Sequence, residues 1–436
     1  MSVRATMQHL VIAVALLFAL CFLALPGATD EARALGTESF VPGQIIVKLS
    51  PRATIATVNS RYGTQVQEQF LDKKNTSIYL LRILDGSSAQ DKLAEITGDP
   101  LIRYAELNYL SGLPEADDGT QANARHRAFP TGDATPTTQR YSKDGLYPDS
   151  ALHLTDARKL SQGAGTMVAI LDTGAQLDHP ALKARFKGVP RYDFVDDDTN
   201  PSEPPFANTE DQISQEAVGH GTHVAGIVNL VAPKASLMPL RVLDREGYGS
   251  VFHVAEAVAY ADTYGADAIN LSLGSPSWSR LLREKVDEAI RDGAVVVAAA
   301  GNYNATLPQY PASNQVPVAS ANDGLLAVTS VNPAGAKSDF ANYGTWVDIA
   351  APGEEILSTY PVSRYAYWSG TSMATPFVTG EAALIHAVDG SLGPAGVETR
   401  IRSGARCLDV FPHMLGAGHA DILAGLEQDT SQSCAL

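Results

Sequence analysis

Cysteine is scarce in this 436-residue chain, and three residues are too few for a disulfide-built scaffold. Charge is sparse as well: Asp, Glu, Lys and Arg make up 18% of the residues, against roughly 25% in an average soluble domain. Basic residues are in the minority, and the net charge of −16 argues against a protein that coats nucleic acid or binds anionic membranes by charge. Hydrophobic residues make up 45%, enough for a sizeable core in two to three domains.

One apolar run near the N-terminus predicts an export signal. Residues 10–25 are 16 uncharged apolar residues that follow Arg4 and end at Pro26. A membrane span needs roughly 20 apolar residues, whereas a signal peptide needs about 7–15 after a positive start. We predict a signal peptide over residues 1–28, and an uncleaved membrane anchor is the alternative.

Removal of this signal would leave two cysteines, Cys407 and Cys434, both near the C-terminus. In an oxidising compartment they predict one disulfide that closes the tail, and two unpaired thiols are the alternative.

After the predicted signal peptide, two segments of the chain differ in composition. Residues 39–110 have the pattern of a small α+β unit, with strand-like segments at 43–49 and 77–83 and a helical pattern at 89–97. Residues 111–140 are poor in apolar residues and rich in Asp, Gly, Thr, Ala and Pro, which is typical of a linker.

From about residue 141, short apolar runs alternate with helical stretches. Continuous Val, Ala, Ile and Leu runs are typical of strands buried on both faces of a parallel sheet. The alternation predicts an α/β fold, a parallel sheet flanked by helices, over residues 141–428, with a tail at 429–436. The predicted strands cover 167–171, 235–243, 268–273, 294–300, 325–331 and 346–350.

Three polar residues lie at the ends of these segments. Asp172 follows a buried strand, and His220 and Ser372 each begin an apolar helical stretch. In open α/β sheets, ligands bind beyond the carboxyl ends of the strands. A serine hydroxyl needs an adjacent base, which a neutral imidazole supplies, and an aspartate fixes the imidazole tautomer. Singly, each residue has an ordinary reading as a turn residue, helix start or N-cap; together, in this order, they predict a catalytic triad.

Two neighbouring residues refine this prediction. Pro376 lies four residues into the helix that Ser372 begins, and it lacks the N–H that would bond the Ser372 carbonyl. His223 lies one turn after His220 and is predicted to be structural.

A family resemblance appears at these residues. The sequence around them resembles subtilisin-family serine proteases, nearest to the thermitase-like branch, through the segments Asp172-Thr173-Gly174, Gly219-His220-Gly221-Thr222-His223 and Gly370-Thr371-Ser372-Met373-Ala374. The resemblance covers about residues 150–426 and implies a subtilisin-like fold with this triad. Residues 41–48 and 104–109 resemble the family's inhibitory, chaperone-like propeptide, so residues 39–110 are expected to form a ferredoxin-like propeptide domain.

The resemblance also implies the rest of the site. Asn302 would stabilise the oxyanion together with the Ser372 backbone N–H. Two segments would pair with an extended peptide as added β-strands, namely Gly247, Tyr248, Gly249 and Ser272, Leu273, Gly274. The latter segment would also line the first side-chain pocket, with Ala299, Gly301, Tyr303 and Gln309. These positions carry no acidic residue, which predicts a preference for a large apolar or aromatic side chain.

Metal binding has two readings. Residues 193–202 are dense in oxygen ligands, of which calcium takes about 6–8. They resemble a calcium loop of the thermitase-like branch, which implies the ligands Asp193, Asp196, Asp198 and Asn200; a solvated acidic loop is the alternative. Only four residues separate 224–227 from 232–234, where relatives carry the insertion that holds their tight calcium site, so that second site is expected to be absent.

The function predicted from the sequence is a secreted or periplasmic serine endopeptidase made as a self-processing preproenzyme. It would be a monomer with broad specificity for protein and peptide substrates, no nucleic-acid partner, no catalytic cofactor, and structural calcium at the acidic loop. Its own propeptide would act as an intramolecular inhibitor, cut near Tyr109 or within the linker. The alternatives are a catalytically silent binding protein of the same fold, a maturation protease dedicated to one partner, and a membrane-anchored protease.

Overall fold

The computed structural model describes residues 39–70, 77–114, 129–130, 146–203, 217–313, 323–408 and 414–433. All of them belong to one unit, Glu38–Leu436. The predicted signal peptide, most of the predicted linker and Cys434 lie outside the described residues. No helix in the described part of the chain is both long and apolar enough to cross a membrane.

Residues 39–114, called here the N-terminal module, form an antiparallel sheet with two short helices on one face. Both helices begin at side-chain caps: Thr54 Oγ1 accepts from the Thr57 N–H at 3.3 Å, and Ser88 Oγ accepts from the Asp91 N–H at 3.0 Å. The elements are β1 (Phe40–Leu49), α1 (Ile55–Tyr62), β2 (Thr64–Gln69), β3 (Ile78–Ile83), α2 (Ala89–Ile96) and β4 (Ile102–Gly112).

The C-terminal module comprises the described residues within 129–130 and 146–433. Its strands are β5 (Phe129–Pro130), β6 (Met167–Asp172), β7 (Tyr192–Asp193), β8 (Ser236–Arg241), β9 (Tyr248–Ser250), β10 (Ala268–Leu271), β11 (Val295–Ala299), β12 (Leu325–Val331), β13 (Ile349–Pro352), β14 (Ile356–Tyr360) and β15 (Arg364–Trp368). The module is built around a seven-stranded parallel sheet in the order β13-β12-β11-β10-β6-β8-β7, and a second, three-stranded sheet has the order β14-β15-β5.

Helices cover both faces of the parallel sheet. They are α3 (Leu146–Leu152), α4 (Leu154–Leu160), α5 (His220–Val231), α6 (Val251–Thr263), α7 (Arg280–Asp292), α8 (Thr371–Val388), α9 (Pro394–Gly404) and α10 (Ile422–Glu427). Successive residues of β6 face opposite layers: Ile170 packs with α5 and α8, and Leu171 packs with α6 and α7. The predicted α/β architecture is therefore present, and the strands are buried on both faces, as their continuous apolar runs indicated.

Two segments differ from the sequence expectation. The last sheet strand begins at Ile349 rather than at Trp346, because Trp346 lies in a turn in which the Val347 N–H bonds the Gly344 carbonyl at 3.1 Å. Strand β4 continues to Gly112, two residues into the predicted linker, because it pairs there with β9 of the C-terminal module. This pairing makes β9 the fifth strand of the N-terminal sheet, in the order β2-β3-β1-β4-β9.

Candidate active site

The three predicted triad residues lie at element ends around the carboxyl edge of the parallel sheet. Asp172 is the last residue of β6, His220 is the first residue of α5, and Ser372 is the second residue of α8. All three side chains are fully buried, with relative exposures of 0%.

Asp172 and His220 form a direct pair. The His220 Nδ1 atom lies 2.8 Å and 3.0 Å from the two carboxylate oxygens of Asp172. A carboxylate only accepts, so Nδ1 carries the proton and the tautomer leaves Nε2 as the basic nitrogen. The indole of Trp368 packs edge-on against the imidazole, with ring centroids 5.1 Å apart, and limits how the ring can turn. This pair has the geometry of an oriented general base.

A carboxylate that the sequence reasoning missed ties the Asp172 and His220 elements together. Glu203 accepts from Thr173 Oγ1 at 3.1 Å, from the Gly219 N–H at 3.0 Å and from the Thr222 N–H at 3.1 Å. Burial, with the charge of Asp172 adding to it, raises the pKa of Glu203 to about 7. No motif marked this residue, because its partners, the Thr173 hydroxyl and the N–H groups of Gly219 and Thr222, lie 16 to 30 residues away in the chain.

Ser372 is held by reciprocal hydrogen bonds with Ser272, which precedes it by 100 residues. The Ser372 hydroxyl donates to the Ser272 carbonyl at 3.2 Å, and the Ser272 hydroxyl donates to the Ser372 carbonyl at 2.8 Å. The second bond supplies the donor that Pro376 cannot provide within the helix. Asn270 Nδ2 in turn donates to the Ser272 hydroxyl at 2.9 Å, so the start of α8 is fixed from the neighbouring strand.

Asn302 is oriented by the residue that precedes the serine. Its Oδ1 atom accepts from both the N–H and the Oγ1 hydroxyl of Thr371, each at 2.9 Å. Thr371 Oγ1 also accepts from the Gly301 N–H at 3.1 Å. Because the amide oxygen is engaged by Thr371, the Nδ2 group is the end of Asn302 that can donate to a developing negative charge.

An extended segment of the chain itself lies between the two predicted substrate-binding segments. On one side, residues 110–112 pair antiparallel with β9, with Gly112 opposite Tyr248 and Ser111 opposite Gly249, and the Leu113 N–H bonds the Gly247 carbonyl at 3.0 Å. On the other side, Gly112 exchanges two backbone hydrogen bonds with Gly274, at 2.8 Å and 2.9 Å. Residues 110–113 therefore occupy the position that an added substrate strand would take.

The predicted first pocket is assembled only in part by the described contacts. Gln309 lies against two glycines: a Cβ at Gly301 would meet its Cγ at 2.9 Å, and a Cβ at Gly274 would meet its Cβ at 3.6 Å. Leu273 is buried beside Gly274, and Ala299 ends β11 just before Gly301. Tyr303 is positioned through its backbone, whose N–H donates to Asn342 Oδ1 at 2.9 Å.

The acidic loop contains a cation from the protein itself. The Arg241 guanidinium lies 2.8 Å from Asp193 Oδ2 and 2.5 Å from Asp196 Oδ2. Asp198 Oδ1 accepts from the Asn200 N–H at 2.7 Å, so this oxygen also has a partner. In the described part of the chain, the three aspartates do not bring their oxygens within 4.8 Å of one another. This arrangement does not fit a calcium site of 6–8 oxygens unless Arg241 moves.

The contacts of two further residues from the sequence analysis, His223 and Cys407, are described by the structure. His223 Nε2 lies 3.0 Å and 3.1 Å from the carbonyl oxygens of Ile356 and Ala366, which is the structural position predicted for it. Cys407 is disulfide-bonded, and its N–H bonds the Gln432 carbonyl at 2.9 Å. Its predicted partner Cys434 lies outside the described residues, so the pairing stays a prediction.

Comparison with known proteins identifies the family. The sequence matches the subtilase family over residues 163–418 and the fervidolysin N-terminal prodomain over residues 26–108. It is 41% identical to thermitase from Thermoactinomyces vulgaris over 257 residues, which are 56% of this chain and 83% of thermitase. It is 32% identical to a thermophilic serine proteinase from Bacillus sp. (strain AK1) over 357 residues, covering 80% of this chain and 78% of that protein.

The fold has a solved relative as well. The crystal structure of fervidolysin from Fervidobacterium pennivorans, a keratinolytic enzyme related to subtilisin, superposes with a TM-score of 0.72 at 23% sequence identity. The match covers 90% of this chain and 62% of the fervidolysin chain. The predicted subtilisin-like fold, preceded by a module of the propeptide type, is confirmed. The chain belongs to the subtilase family of serine peptidases and carries an N-terminal prodomain of the fervidolysin type.

Proposed function

We propose that this chain is a serine endopeptidase that hydrolyses peptide bonds through Asp172, His220 and Ser372. The observation that carries the proposal is the buried Asp172–His220 pair, in which one imidazole nitrogen contacts both oxygens of the carboxylate. With Nδ1 donating to the carboxylate, Nε2 is the nitrogen that can take the serine proton. Asn302, whose amide oxygen is held by Thr371, supplies the oxyanion donor together with the Ser372 N–H.

The chemistry then follows from these residues. The Ser372 hydroxyl turns about its Cα–Cβ bond from the Ser272 carbonyl towards His220, which takes the proton as the oxygen attacks the peptide carbonyl. Asn302 Nδ2 and the Ser372 N–H stabilise the tetrahedral oxyanion. His220 gives the proton to the leaving amine, and the acyl-enzyme is hydrolysed by water with His220 as base again. Asp172 stabilises the imidazolium in both steps.

Substrates bind as an extended strand between β9 and residues 272–274, as residues 110–113 do here. Recognition through the main chain explains broad specificity. The first pocket is lined by uncharged residues, including Gly274, Gly301 and Gln309, which supports a preference for large apolar side chains at that position.

The biosynthetic proposal has three parts. Residues 1–28 direct export to the periplasm or the medium; residues 39–110 act as chaperone and inhibitor; and the enzyme, a monomer, removes them itself within the linker that follows. The support for inhibition is steric, because residues 110–113 occupy the substrate position. Catalysis needs no cofactor, and the calcium predicted at the acidic loop would bind there only by displacing Arg241 from Asp193 and Asp196.

The test is replacement of the nucleophile. Ser372→Ala is expected to lower peptide hydrolysis by about 10⁶ and to abolish labelling by a fluorophosphonate probe. Ser369→Ala is the matched control, because this serine lies three residues away and caps the Glu355 N–H at 2.9 Å. Labelling that persists in Ser372→Ala, or processed wild-type protein that neither labels nor cleaves peptides, would rule the proposal out in favour of a silent scaffold.

A further inference from the structure

The contact between the N-terminal module and helix α6 contains a group of ionisable side chains that peptide hydrolysis does not use. On the N-terminal module, β2 carries a β-bulge: Val66 pairs with Leu81 and Glu68 with Leu80, so Gln67 is an extra residue. Val66 packs into the core of the N-terminal module, whereas Glu68 faces the other side of the sheet, towards α6. Regular alternation would place both side chains on one face, so the bulge is what directs Glu68 across the interface.

Helix α6 presents two matching side chains to Glu68. His253 Nε2 lies 3.1 Å from Glu68 Oε2, and Glu256 follows three residues later on the same face of the helix. His253 and Glu68 are about one-quarter and one-third exposed, and Glu256 is fully buried. The helix is anchored at this end by Ser250, whose hydroxyl accepts from the His253 N–H at 3.2 Å.

The ligand atoms of these three residues all lie within 4.8 Å of one another, and in the part of the chain that the structure describes they are the single group of three with this property. With His253 neutral and both glutamates ionised, the group would carry two negative charges. A buried carboxylate such as Glu256 is costly unless it is hydrogen-bonded, paired with a cation or coordinated to a metal. A divalent cation neutralises both carboxylates at once, whereas a proton on His253 would compensate only one of them.

The donor set distinguishes among cations. One imidazole nitrogen and two carboxylate oxygens suit Zn²⁺, which takes such ligands at about 2.0–2.2 Å and completes a tetrahedron with water. Calcium prefers about 6–8 oxygen ligands, and an imidazole nitrogen is a poor ligand for it. We propose that Glu68, His253 and Glu256 form a zinc site that bridges the N-terminal module and the C-terminal module.

A bridging site couples metal binding to docking of the N-terminal module. Glu68 comes from one module and the other two ligands from α6, so the complete site exists only while β2 lies against α6. By linkage, the factor by which docking strengthens Zn²⁺ binding is also the factor by which bound Zn²⁺ strengthens docking. This inference does not depend on the proposed catalytic residues, because Zn²⁺ binding is measured directly and involves no cleavage step.

The experiment uses the full-length Ser372→Ala chain, stripped of metal and titrated with Zn²⁺ against a chromophoric chelator. We expect binding of one equivalent of Zn²⁺ and a higher melting temperature in its presence. Glu68→Gln is expected to weaken binding by at least about tenfold, since it removes a ligand. His386→Gln is the matched control: His386 pairs with Asp267 at 3.0 Å and belongs to no three-ligand group among the described residues.

Three results would overturn the proposal. The first is the absence of saturable Zn²⁺ binding, in which case a proton on His253 holds the two glutamates. The second is equal affinity in Glu68→Gln and its parent, which would place the metal elsewhere. The third is a loss of Zn²⁺ affinity in His386→Gln as large as the loss in Glu68→Gln. If circular dichroism shows that Glu68→Gln is unfolded, His253→Gln takes its place with the same criteria.

Discussion

At the scale of single residues, Ser272 links the proposed substrate-binding segment 272–274 to α8, the helix that carries Ser372. Its hydroxyl donates to the Ser372 carbonyl and accepts from Asn270, and all three side chains are fully buried. Ser272→Ala leaves a buried carbonyl and a buried amide without these partners, at a cost of about 1–3 kcal/mol in the free energy of unfolding. Because the start of α8 is then free to shift, we expect kcat to fall more than KM changes, measured with a peptide substrate alongside denaturant unfolding.

A variant of a second buried serine, Ser330, serves as a control that distinguishes a loss of stability from a loss of positioning of Ser372. Ser330 hydrogen-bonds Ser338 at 2.7 Å within the fold and has no contact with Ser372 among the described hydrogen bonds. Ser330→Ala should lower stability by a similar amount and leave kcat unchanged. Equal kcat values in the two variants would show that Ser272 contributes only to stability.

Glu381, on the same helix as Ser372, makes the stability of the folded protein depend on pH. It is fully buried, and neither of its carboxyl oxygens has a hydrogen-bond partner among the described residues. Burial, with the charge of Asp421 adding to it, raises the pKa of Glu381 well above its usual value. The folded protein keeps a proton that the unfolded chain releases above about pH 4.5, so stability falls by about 1.4 kcal/mol per pH unit from there up to the folded pKa.

Glu381→Gln removes this titration. The variant should have wild-type stability near pH 4.5 and exceed it at pH 8, measured by denaturant unfolding at both values. The control is Glu288→Gln, whose side chain pairs with Lys285 at 2.8 Å near the surface. An equal pH dependence in wild type and Glu381→Gln would show that Glu381 ionises freely in the folded state.

At the scale of elements, β8 supplies the cation of the acidic loop. Arg241 is the last residue of this strand and contacts Asp193 and Asp196. Since a guanidinium already neutralises these carboxylates, we expect EDTA to leave the melting temperature of the mature enzyme, freed of the prodomain, unchanged. A drop in EDTA that added Ca²⁺ restores would show instead that calcium displaces Arg241. Arg241→Met, which removes the cation, is expected to lower the melting temperature and to make it respond to Ca²⁺.

At the scale of the whole molecule, the path of β4 predicts where the precursor is cut first. The antiparallel pair of Gly112 and Gly274, continued by two residues, places Pro114 opposite Ser272, whose carbonyl is 3.2 Å from the Ser372 hydroxyl. We therefore expect the earliest cut within a residue of Pro114, which intact mass and N-terminal sequencing at short times would show. An earliest cut near Tyr109, inside the paired strand, would contradict this register. Ser372→Ala should remain uncut in the same preparation.

The sequence was sufficient for the fold class, the family and the order of the triad motifs. Each of these depends on local patterns: apolar runs that a parallel sheet buries on both faces, and polar residues directly after a strand or before a helix. Boundaries were predicted less well where tertiary contacts decide them. Strand β4 extends past the predicted start of the linker because β9 and Gly274 pair with it. The strand expected to begin at Trp346 begins at Ile349 because a turn precedes it.

By itself, the sequence determined the family, and it predicted Asp172, His220 and Ser372 as the reacting groups because each lies in a short local motif at the end of a strand or the start of a helix. Only the tertiary structure decided which groups support them. Glu203, Thr371 and Trp368 act through contacts with backbone N–H groups, a side-chain amide and an imidazole that are distant in the chain, and no local pattern encodes such contacts. The same holds for Arg241 in the acidic loop and for Glu68 opposite His253, because a contact between distant segments exists only once folding has brought them together.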